Sequence, residues 1–213
     1  WLAYERPTGT DEWQAAVDAH TEWMSKLASL EVETIVGSKP TVENGNRHND
    51  AFILDQGNTE RFLHRKYYLP DEPGFWEASW YERADQPQFQ SLSTGELQVG
   101  AMICSDIWFG EHARAYARQG VQLLVNPRAT ESGSLDKWLA GGRAAAVMSG
   151  AYCLSSNRSG PGKGFDWGGM GWIIDPNGNV LAQTSDEQPF VTLEIDLSLA
   201  NKAKSTYPRY VKE

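Results

Sequence analysis

The sequence predicts an α+β protein built from layers of helix and sheet, and three observations support this fold class. About eight short segments have the apolar or alternating pattern of strands, and three longer segments have the period of helices. The predicted strands follow one another along the chain more often than they alternate with helices. No repeat, low-complexity tract or linker divides the 213 residues. We therefore expect a single domain over residues 1–213, with helices covering one face of each sheet rather than an open sheet of βαβ units.

The first part of the chain is predicted to contain one helix and three strands. From Asp11 to Leu30, apolar residues recur three and four positions apart, which is typical of an amphipathic helix capped by Thr10 or Asp11. Further predicted elements are strands at 34–38, 51–54 and 61–69, a polar loop at 40–48 and a turn at 56–58. Because the turn is short, the strands on either side of it are expected to be antiparallel neighbours. Residues 70–89 lack a regular period but are rich in aromatic side chains, which favours a functional loop over disorder.

The central part of the sequence alternates strand and helix. The apolar run Val99–Ile103 has the length of a strand and places Cys104 at its end. A predicted helix near 111–119, closed by Gly120, and a predicted strand at 121–125 follow. A thiol between the end of a strand and the start of a helix lies where backbone dipoles favour the thiolate. Cys104 is therefore one candidate for a nucleophile.

The last part of the chain is predicted to hold a long helix, four strands and a short helix. Residues 128–133 are predicted to form a loop, and a helix rich in small residues follows at 135–150. The other predicted elements are strands at 151–155, 171–174, 179–182 and 190–195, and a short helix followed by an extended arm within 198–213. Asp175-Pro176-Asn177-Gly178 is the clearest turn signal in the chain and predicts a hairpin.

Composition and charge argue against several classes of partner and cofactor. The formal net charge is −9 without a block of Lys or Arg, so neither nucleic acid nor an anionic membrane is expected as a partner. No apolar run approaches the roughly 18 residues of a membrane span, and the first residues do not resemble a signal peptide. Two cysteines do not form a disulfide framework, which favours a reducing, cytoplasmic location. The four histidines lack metal-ligand spacing, so neither a metal nor another cofactor is expected.

Three residues have the chemistry that a thiol hydrolase needs, although composition and periodicity do not select them. A cysteine nucleophile requires a group that removes its proton and a positive group that stabilises the oxyanion. Lys66 lies on a predicted strand, Glu77 in the aromatic loop and Cys104 at a strand end. Each also fits an ordinary role, as a solvated edge lysine, a surface carboxylate or a small buried hydrophobe. The last role is our interpretation of Cys153.

Several motifs together resemble the nitrilase superfamily of carbon-nitrogen hydrolases. They extend in family order from about residue 33 to the C-terminus: Lys66-Tyr67-Tyr68-Leu69-Pro70, Glu77, Cys104-Ser105-Asp106, Phe109-Gly110-Glu111, Asn126-Pro127-Arg128-Ala129-Thr130, Trp138 with Arg143-Ala144-Ala145, Asn157-Arg158 and Asp175-Pro176-Asn177-Gly178. The resemblance implies a four-layer αββα sandwich, in which two β-sheets pack face to face with helices outside. It also implies a homodimer or a higher homo-oligomer.

The resemblance assigns a role to each of the three candidate residues. It implies that Cys104 is the nucleophile and that Lys66 stabilises the tetrahedral intermediate. Glu77 matches the family's second glutamate, which helps to place the substrate and to shuttle protons. The backbone N–H after Cys104 is expected to share the oxyanion with Lys66. Glu111 and Arg143 match positions that look structural, and we expect them to form an ion pair.

The family's first glutamate, its general base, has no match in the sequence. In the family it lies in a Pro-Glu motif at the end of an early strand, and Trp1-Leu2-Ala3 resembles the stretch just after that motif. Glu5 and Glu12 lie in surroundings that do not match. We therefore expect the sequence to be N-terminally truncated, missing the first strand-helix-strand, and we expect turnover only in a form extended upstream. Met170 is a second departure, since many members carry Ser there.

The residues around the nucleophile suggest which reaction to expect. True nitrilases usually carry Cys-Trp-Glu, whereas Cys104-Ser105-Asp106 is closer to the Cys-Tyr-Asp of amidases and carbamoylases. The resemblance therefore implies hydrolysis of a small-molecule amide or N-carbamoyl compound through a cysteine thioester. Arg128 is a candidate for binding a substrate carboxylate, although a surface loop arginine is at least as ordinary. The candidates for the pocket wall, for which core packing is the commoner role, are Trp76, Trp80, Trp108 and Trp167.

Three alternatives to this interpretation remain open. A Cys-His hydrolase would use His64 or His112 as the base for Cys104. A true nitrilase would act on a nitrile. A truncated relative would fold or bind without turnover.

Overall fold

The computed structural model describes residues 4–27, 29–55 and 59–212 of the chain. Its contacts separate two units, Trp1–Gln88 and Phe89–Glu213, and each unit has a sheet of its own. The single domain expected over residues 1–213 stays a prediction, and the turn predicted at 56–58 lies outside the described residues.

The first unit contains an antiparallel sheet of three strands, β1-β2-β3, and two helices. The bounds are α1 at Asp11–Leu27, β1 at Thr34–Glu43, β2 at Asn46–Asp55, β3 at Glu60–Arg65 and α2 at Glu77–Trp80. The acidic side chains in the first turn of α1 and Lys26 in its last turn complement the helix dipole. The core of this unit forms where Trp13 of α1 packs against Trp80 and Tyr81.

The polar loop predicted at 40–48 is wrong, because these residues form the β1–β2 hairpin. Glu43 pairs with Asn46, so two residues make the turn. Asn44 and Gly45 both have positive φ, at 52° and 85°. Asn-Gly is the sequence that such a tight hairpin turn favours, since its two central residues must adopt left-handed backbone conformations. The strand predicted at 61–69 ends earlier than expected, at Arg65.

The second unit contains a mixed sheet of six strands in the order β11-β10-β7-β6-β5-β4, together with a two-stranded ribbon, β8-β9. The strands are β4 at Leu92–Thr94, β5 at Leu97–Ala101, β6 at Leu123–Arg128, β7 at Tyr152–Asn157, β8 at Ser159–Pro161, β9 at Asp166–Gly168, β10 at Trp172–Ile174 and β11 at Val180–Gln183. The helices are α3 at Gly110–Arg118, α4 at Leu135–Ser149 and α5 at Leu197–Ala203. Strands β5, β6 and β7 run parallel, and antiparallel strands flank them.

A close approach between β5 and α3 holds the central crossover together. A Cβ added at Gly100 would lie 2.8 Å from the ring of Tyr116, so only glycine leaves room for that ring. The hydroxyl group of Tyr116 donates to the carbonyl oxygen of Ala101 at 2.7 Å. The end of β5, which leads to Cys104, is therefore fixed against the helix that follows it.

Two predictions for the C-terminal segment are wrong. Residues 190–195 form no strand in the structure, and the Phe190 side chain is 78% exposed. The segment after α5 forms turns rather than an extended arm, with the Tyr210 N–H bonded to the Thr206 oxygen. Arg114 of α3 donates to the carbonyl oxygens of Pro208 and Val211 and ties this segment to the unit. In the described part of the chain, no helix combines the length and the apolar character that crossing a membrane requires.

Candidate active site

Within the first unit, Lys66 and Glu77 form a buried ion pair. Lys66 lies directly after β3, and its N–H donates to the Asn49 oxygen at 2.9 Å. Glu77 begins α2, eleven residues later, and its Oε2 accepts a hydrogen bond from the Lys66 ammonium. The two side chains are 0% and 1% exposed. Lys66 is therefore not a solvated lysine, and Glu77 is not a surface carboxylate.

The charge of Glu77 acts on its surroundings. Burial, and secondarily the negative charge of Glu77, raise the pKa of Tyr81 above its usual value. The Tyr81 N–H also donates to the Glu77 carbonyl oxygen at 2.8 Å. Buried charges are stable only when they are paired and hydrogen-bonded, and the Lys66–Glu77 contact meets that requirement.

The tryptophans predicted near Glu77 lie in or against the core of the first unit. Trp80 is buried and its indole N–H donates to the Glu5 oxygen at 2.6 Å. Trp76 is partly buried against the same cluster, and the Arg6 guanidinium lies 4.1 Å from its ring centre. Both have the packing role that is ordinary for tryptophan, and a role in a pocket wall stays a prediction.

Within the second unit, Cys104 occupies a strained position at the start of a 3-10 turn, Cys104–Trp108, between β5 and α3. Its φ is +49°, in the left-handed region, which costs a residue other than glycine about 1–3 kcal/mol. Ile103 before it is extended. A sharp strand-to-helix turn of this kind carries the nucleophile of other hydrolases, because it presents the side chain at the edge of the sheet.

Two buried polar side chains hold this turn in place. Asp106 Oδ2 accepts the Ile103 N–H at 3.0 Å. The Asn126 side-chain amide donates to the carbonyl oxygens of Met102, at 2.5 Å, and Cys104, at 3.2 Å. Both residues belong to motifs that carry the family resemblance, but the sequence predicts no role for Asp106 or Asn126. The signal for both was a short polar side chain at a strand end, where such groups bond nearby backbone.

Arg128 is a buried strand residue rather than the loop residue predicted. It ends β6, on the same face of the strand as Asn126. Its Nε donates to Ser155 Oγ at 3.0 Å, one terminal nitrogen donates to Thr130 Oγ1 at 2.6 Å, and the other donates to the Met170 oxygen. Burial lowers the pKa of the Arg128 guanidinium to about 10. Negative charge on Cys104 and Cys153 acts in the opposite direction and raises this pKa.

The remaining predicted aromatic residues of the second unit differ in exposure. Trp108 is 48% exposed and lies 5.1 Å, between ring centres, from Trp138. A Cβ added at Gly141 would lie 2.9 Å from the Trp108 ring, so Trp108 packs directly on the backbone of α4. Trp167 is buried, and its ring lies 4.8 Å from that of Phe165.

The two histidines of the Cys-His alternative and the second cysteine are all buried, each against different groups. The ring of His112 stacks on Phe89 at 3.7 Å, and His64 is fully buried, with its Nδ1 3.1 Å from the Gln88 oxygen. Cys153 is fully buried on β7, and burial raises the pKa of its thiol to about 12. Among the described residues, no group of three or more His, Cys, Asp or Glu side chains is placed to hold a metal ion.

The ion pair predicted between Glu111 and Arg143 is absent, although the structure describes both residues. Glu111 is exposed on α3, and its carboxylate lies 3.8 Å from the ring of His112. Arg143 of α4 instead donates to the Gly178 oxygen at 2.9 Å and so fixes the β10–β11 turn. A backbone carbonyl replaces the expected carboxylate.

Comparison with known proteins points to one family. The sequence matches the carbon-nitrogen hydrolase family over residues 4–205. It is 29% identical over 170 residues to N-carbamoylputrescine amidase of Solanum tuberosum, which covers 72% of this chain and 56% of that protein. It is also 29% identical over 197 residues to omega-amidase NIT2 of Xenopus tropicalis, which covers 88% of this chain and 70% of that protein. The chain therefore spans little more than half the length of the first relative.

Solved structures share the fold. A carbon-nitrogen hydrolase from Helicobacter pylori G27 superposes with a TM-score of 0.85 at 22% identity, over 98% of this chain and 78% of that chain. An amidase from Nesterenkonia sp. superposes with a TM-score of 0.64 at 27% identity, over 78% and 62%. These likenesses confirm the resemblance and the mixture of sheets and helices. The four-layer sandwich and the missing first strand-helix-strand stay predictions.

Proposed function

Because the chain belongs to the carbon-nitrogen hydrolase family, we propose that it hydrolyses a carbon–nitrogen bond in a small-molecule amide or N-carbamoyl compound. The observation that carries the proposal is the backbone of Cys104, held at a positive φ between a buried strand and a helix. Strain of this kind persists only where the surroundings impose it, and Asp106 and Asn126 do so here. A cysteine that served only to fill the core would need no such turn.

The proposed reaction has two steps. The Cys104 thiolate attacks the carbonyl carbon, a C–S bond forms, and the carbonyl oxygen becomes an oxyanion. The oxyanion then re-forms the carbonyl group and the C–N bond breaks. Ammonia or an amine leaves with the proton that the thiol lost, which is passed to its nitrogen. Water attacks the resulting thioester, the C–S bond breaks, and the acid and the free thiol are released.

Electrostatic stabilisation of the oxyanion is the role proposed for the backbone N–H after Cys104 and for Lys66. Support for Lys66 comes from its burial beside the carboxylate of Glu77, which restricts its motion. Glu77 is proposed to hold Lys66 and to carry protons to the leaving group. The family resemblance assigns removal of the thiol proton to a first glutamate, which no residue of this chain matches.

The relatives guide the choice of substrate. Their names describe a carbamoyl amidase and an omega-amidase, so primary amides and N-carbamoyl compounds are the first substrates to assay. Ammonia release from both classes, and from a matched nitrile, separates amidase from nitrilase. It is measured with the form extended upstream, which is the wild type of the assays that follow. Turnover of the nitrile alone would replace the proposed reaction with that of a nitrilase.

Variants of the two cysteines test the nucleophile. Cys104→Ala is expected to lower kcat by about 10⁴-fold or more, as removal of a covalent nucleophile does. Cys153→Ala is the matched control, because this buried thiol is proposed to have no part in the reaction, and it is expected to keep kcat within about threefold. Mass spectrometry of wild type mixed with substrate should detect an acyl adduct on Cys104. Undiminished turnover by Cys104→Ala would overturn the proposal.

A further inference from the structure

We infer that the substrate cleaved at Cys104 carries a free carboxylate, and that Arg128 is the side chain that binds it. The inference rests on the proposed function and narrows its substrate class from amides in general to anionic ones. Four observations within the second unit carry it: the register of the parallel strands, the hydrogen bonds of the guanidinium, the absence of a carboxylate partner and the aromatic rings beside it.

The register of β5 and β6 brings the turn that Cys104 begins next to the end of β6, where Arg128 lies. Ala101 of β5 pairs with Val125 of β6. Cys104 comes three residues after Ala101, and Arg128 comes three residues after Val125. Asn126 bonds the Cys104 carbonyl, and Arg128 lies two residues further along the same face, about 7 Å toward the carboxyl end. The carboxyl ends of parallel strands are where open α/β sheets bind ligands.

The hydrogen bonds of Arg128 leave one donor on each terminal nitrogen. A guanidinium has five N–H groups, and neutral oxygens of Ser155, Thr130 and Met170 accept three of them, one from each nitrogen. One N–H on each terminal nitrogen thus has no acceptor within the described part of the chain. Two such donors match the two oxygens of a carboxylate, the geometry in which arginine binds carboxylates most strongly.

The charged groups that act on Arg128 in the described ranges of the chain are the thiolates of Cys104 and Cys153, and no carboxylate pairs with it. None of the carboxylates there forms an ion pair with it, in contrast to Arg65, which has both Asp50 and Glu43. Arg128 is only 7% exposed, and burying an unpaired charge is costly. A bound carboxylate would compensate this charge, so the cost of burial favours binding of an anion over a neutral group.

Aromatic rings pack around the guanidinium of Arg128. Its Cζ lies 4.1 Å from the centre of the Trp172 ring and 5.8 Å from that of Trp138, within the range of cation–π attraction. Trp138 in turn contacts Trp108, which is half exposed. Ring contacts therefore connect Arg128 with the half-exposed Trp108, which ends the turn that Cys104 begins.

Paired substrates that differ only in charge test the inference. Glutaramate and pentanamide share a primary amide and chain length, and N-carbamoyl-β-alanine and N-propylurea form an equivalent carbamoyl pair. Wild type is expected to prefer the anionic member of at least one pair by about 10- to 100-fold in kcat/KM, the range of a hydrogen bond to a charged group. N-carbamoylputrescine, which carries an amine at the other end, is expected to be a poor substrate.

Arg128→Gln is expected to abolish this preference, because it lowers kcat/KM for the anionic member at least tenfold more than for the neutral member. Arg128→Lys keeps the charge without the paired donors and should retain part of the preference. Arg158→Gln is the matched control, because it removes one exposed positive charge from the same unit and should keep the full preference. Thermal unfolding and tryptophan fluorescence of each variant establish that it is folded.

Binding to Cys104→Ala separates this inference from the proposed function. Calorimetry with glutaramate and with N-carbamoyl-β-alanine should give saturable binding, which Arg128→Gln in the same background weakens at least tenfold. Such binding, without turnover of either substrate by the form extended upstream, would refute the proposed reaction and support the anion site. Turnover of both members of each pair at equal rates, or an equal loss on both with Arg128→Gln, would overturn the inference and leave the hydrolase intact.

Discussion

Replacing Glu77 with glutamine is expected to destabilise the protein strongly, because it leaves the charge of Lys66 without its carboxylate. The two side chains are almost completely excluded from water, so solvent cannot replace the lost partner. Removing one member of a buried pair typically costs about 3–5 kcal/mol. Glutamine keeps the shape of the side chain and one oxygen that accepts a hydrogen bond. The expected loss therefore lies near the lower limit, at about 3 kcal/mol in the free energy of unfolding.

Urea unfolding at pH 7, followed by tryptophan fluorescence, measures this loss. Lys66→Met is expected to cost a similar amount, and the double variant less than the sum, because both changes remove the same ion pair. Glu60→Gln is the control, since Glu60 pairs with Lys39 at a partly exposed site, where an ion pair contributes about 0–1 kcal/mol. A cost for Glu77→Gln no larger than that of Glu60→Gln would refute the reasoning, as would full additivity of the two buried changes.

Three further predictions concern the second unit. Iodoacetamide at pH 8 is expected to label Cys104 at least tenfold faster than Cys153, because burial raises the pKa of the Cys153 thiol to about 12 and keeps it protonated; peptide mass spectrometry compares the rates, and equal labelling would contradict an activated Cys104. Gly100→Ala is expected to cost about 1–3 kcal/mol in thermal unfolding, because the new methyl group would overlap a tyrosine ring 2.8 Å away, whereas Gly133→Ala meets no atom within 4 Å and should be nearly neutral. His112→Phe, which preserves the stacking surface, should leave the pH–rate profile unchanged; loss of activity together with the acidic limb, where a base becomes protonated, would instead favour a Cys-His hydrolase.

The central strands and helices were predictable because their sequence pattern and their tertiary role agree. Val99–Ile103 predicts a buried strand, and β5 lies within two residues of it. The predicted helix at 135–150 differs from α4 at a single terminal residue. These segments are buried on the side that their pattern indicates, so local propensity and packing give the same answer.

The two kinds of error have opposite causes. A segment with a strand pattern found no neighbouring strand, and a polar segment predicted to be a loop did find one. Residues 190–195 alternate like a strand, but a strand needs a neighbour for its backbone hydrogen bonds, and no pattern within the segment reports whether one exists. The reverse applies to β1 and β2, whose polar ends pair with each other. There the Asn44-Gly45 turn was the available signal, and polarity obscured it.

The candidate site was predictable in its members but not in their environments. A lysine, a glutamate and a cysteine could be named from motifs, yet nothing local indicates that Lys66 and Glu77, eleven residues apart, are buried as a pair. The strand predicted at 121–125 continues for three more residues in the structure, so that Arg128 ends β6 and is buried there. Side-chain burial depends on which elements pack together, and this information is distributed over the chain.

The strand register connects the two halves of the proposed chemistry in the second unit. Successive residues of a strand point to opposite faces, so a shift of β6 by one residue would turn Arg128 away from the face that carries Asn126. The same shift would remove the bonds from Asn126 to the backbone of Met102 and Cys104, and the turn of the nucleophile would lose its support. Placement of the nucleophile and placement of the cation are thus consequences of one pairing, Ala101 with Val125. The backbone pairing, and not the Arg128 side chain, sets this register. The Arg128 substitutions can therefore change which amide is preferred while Cys104 keeps its geometry.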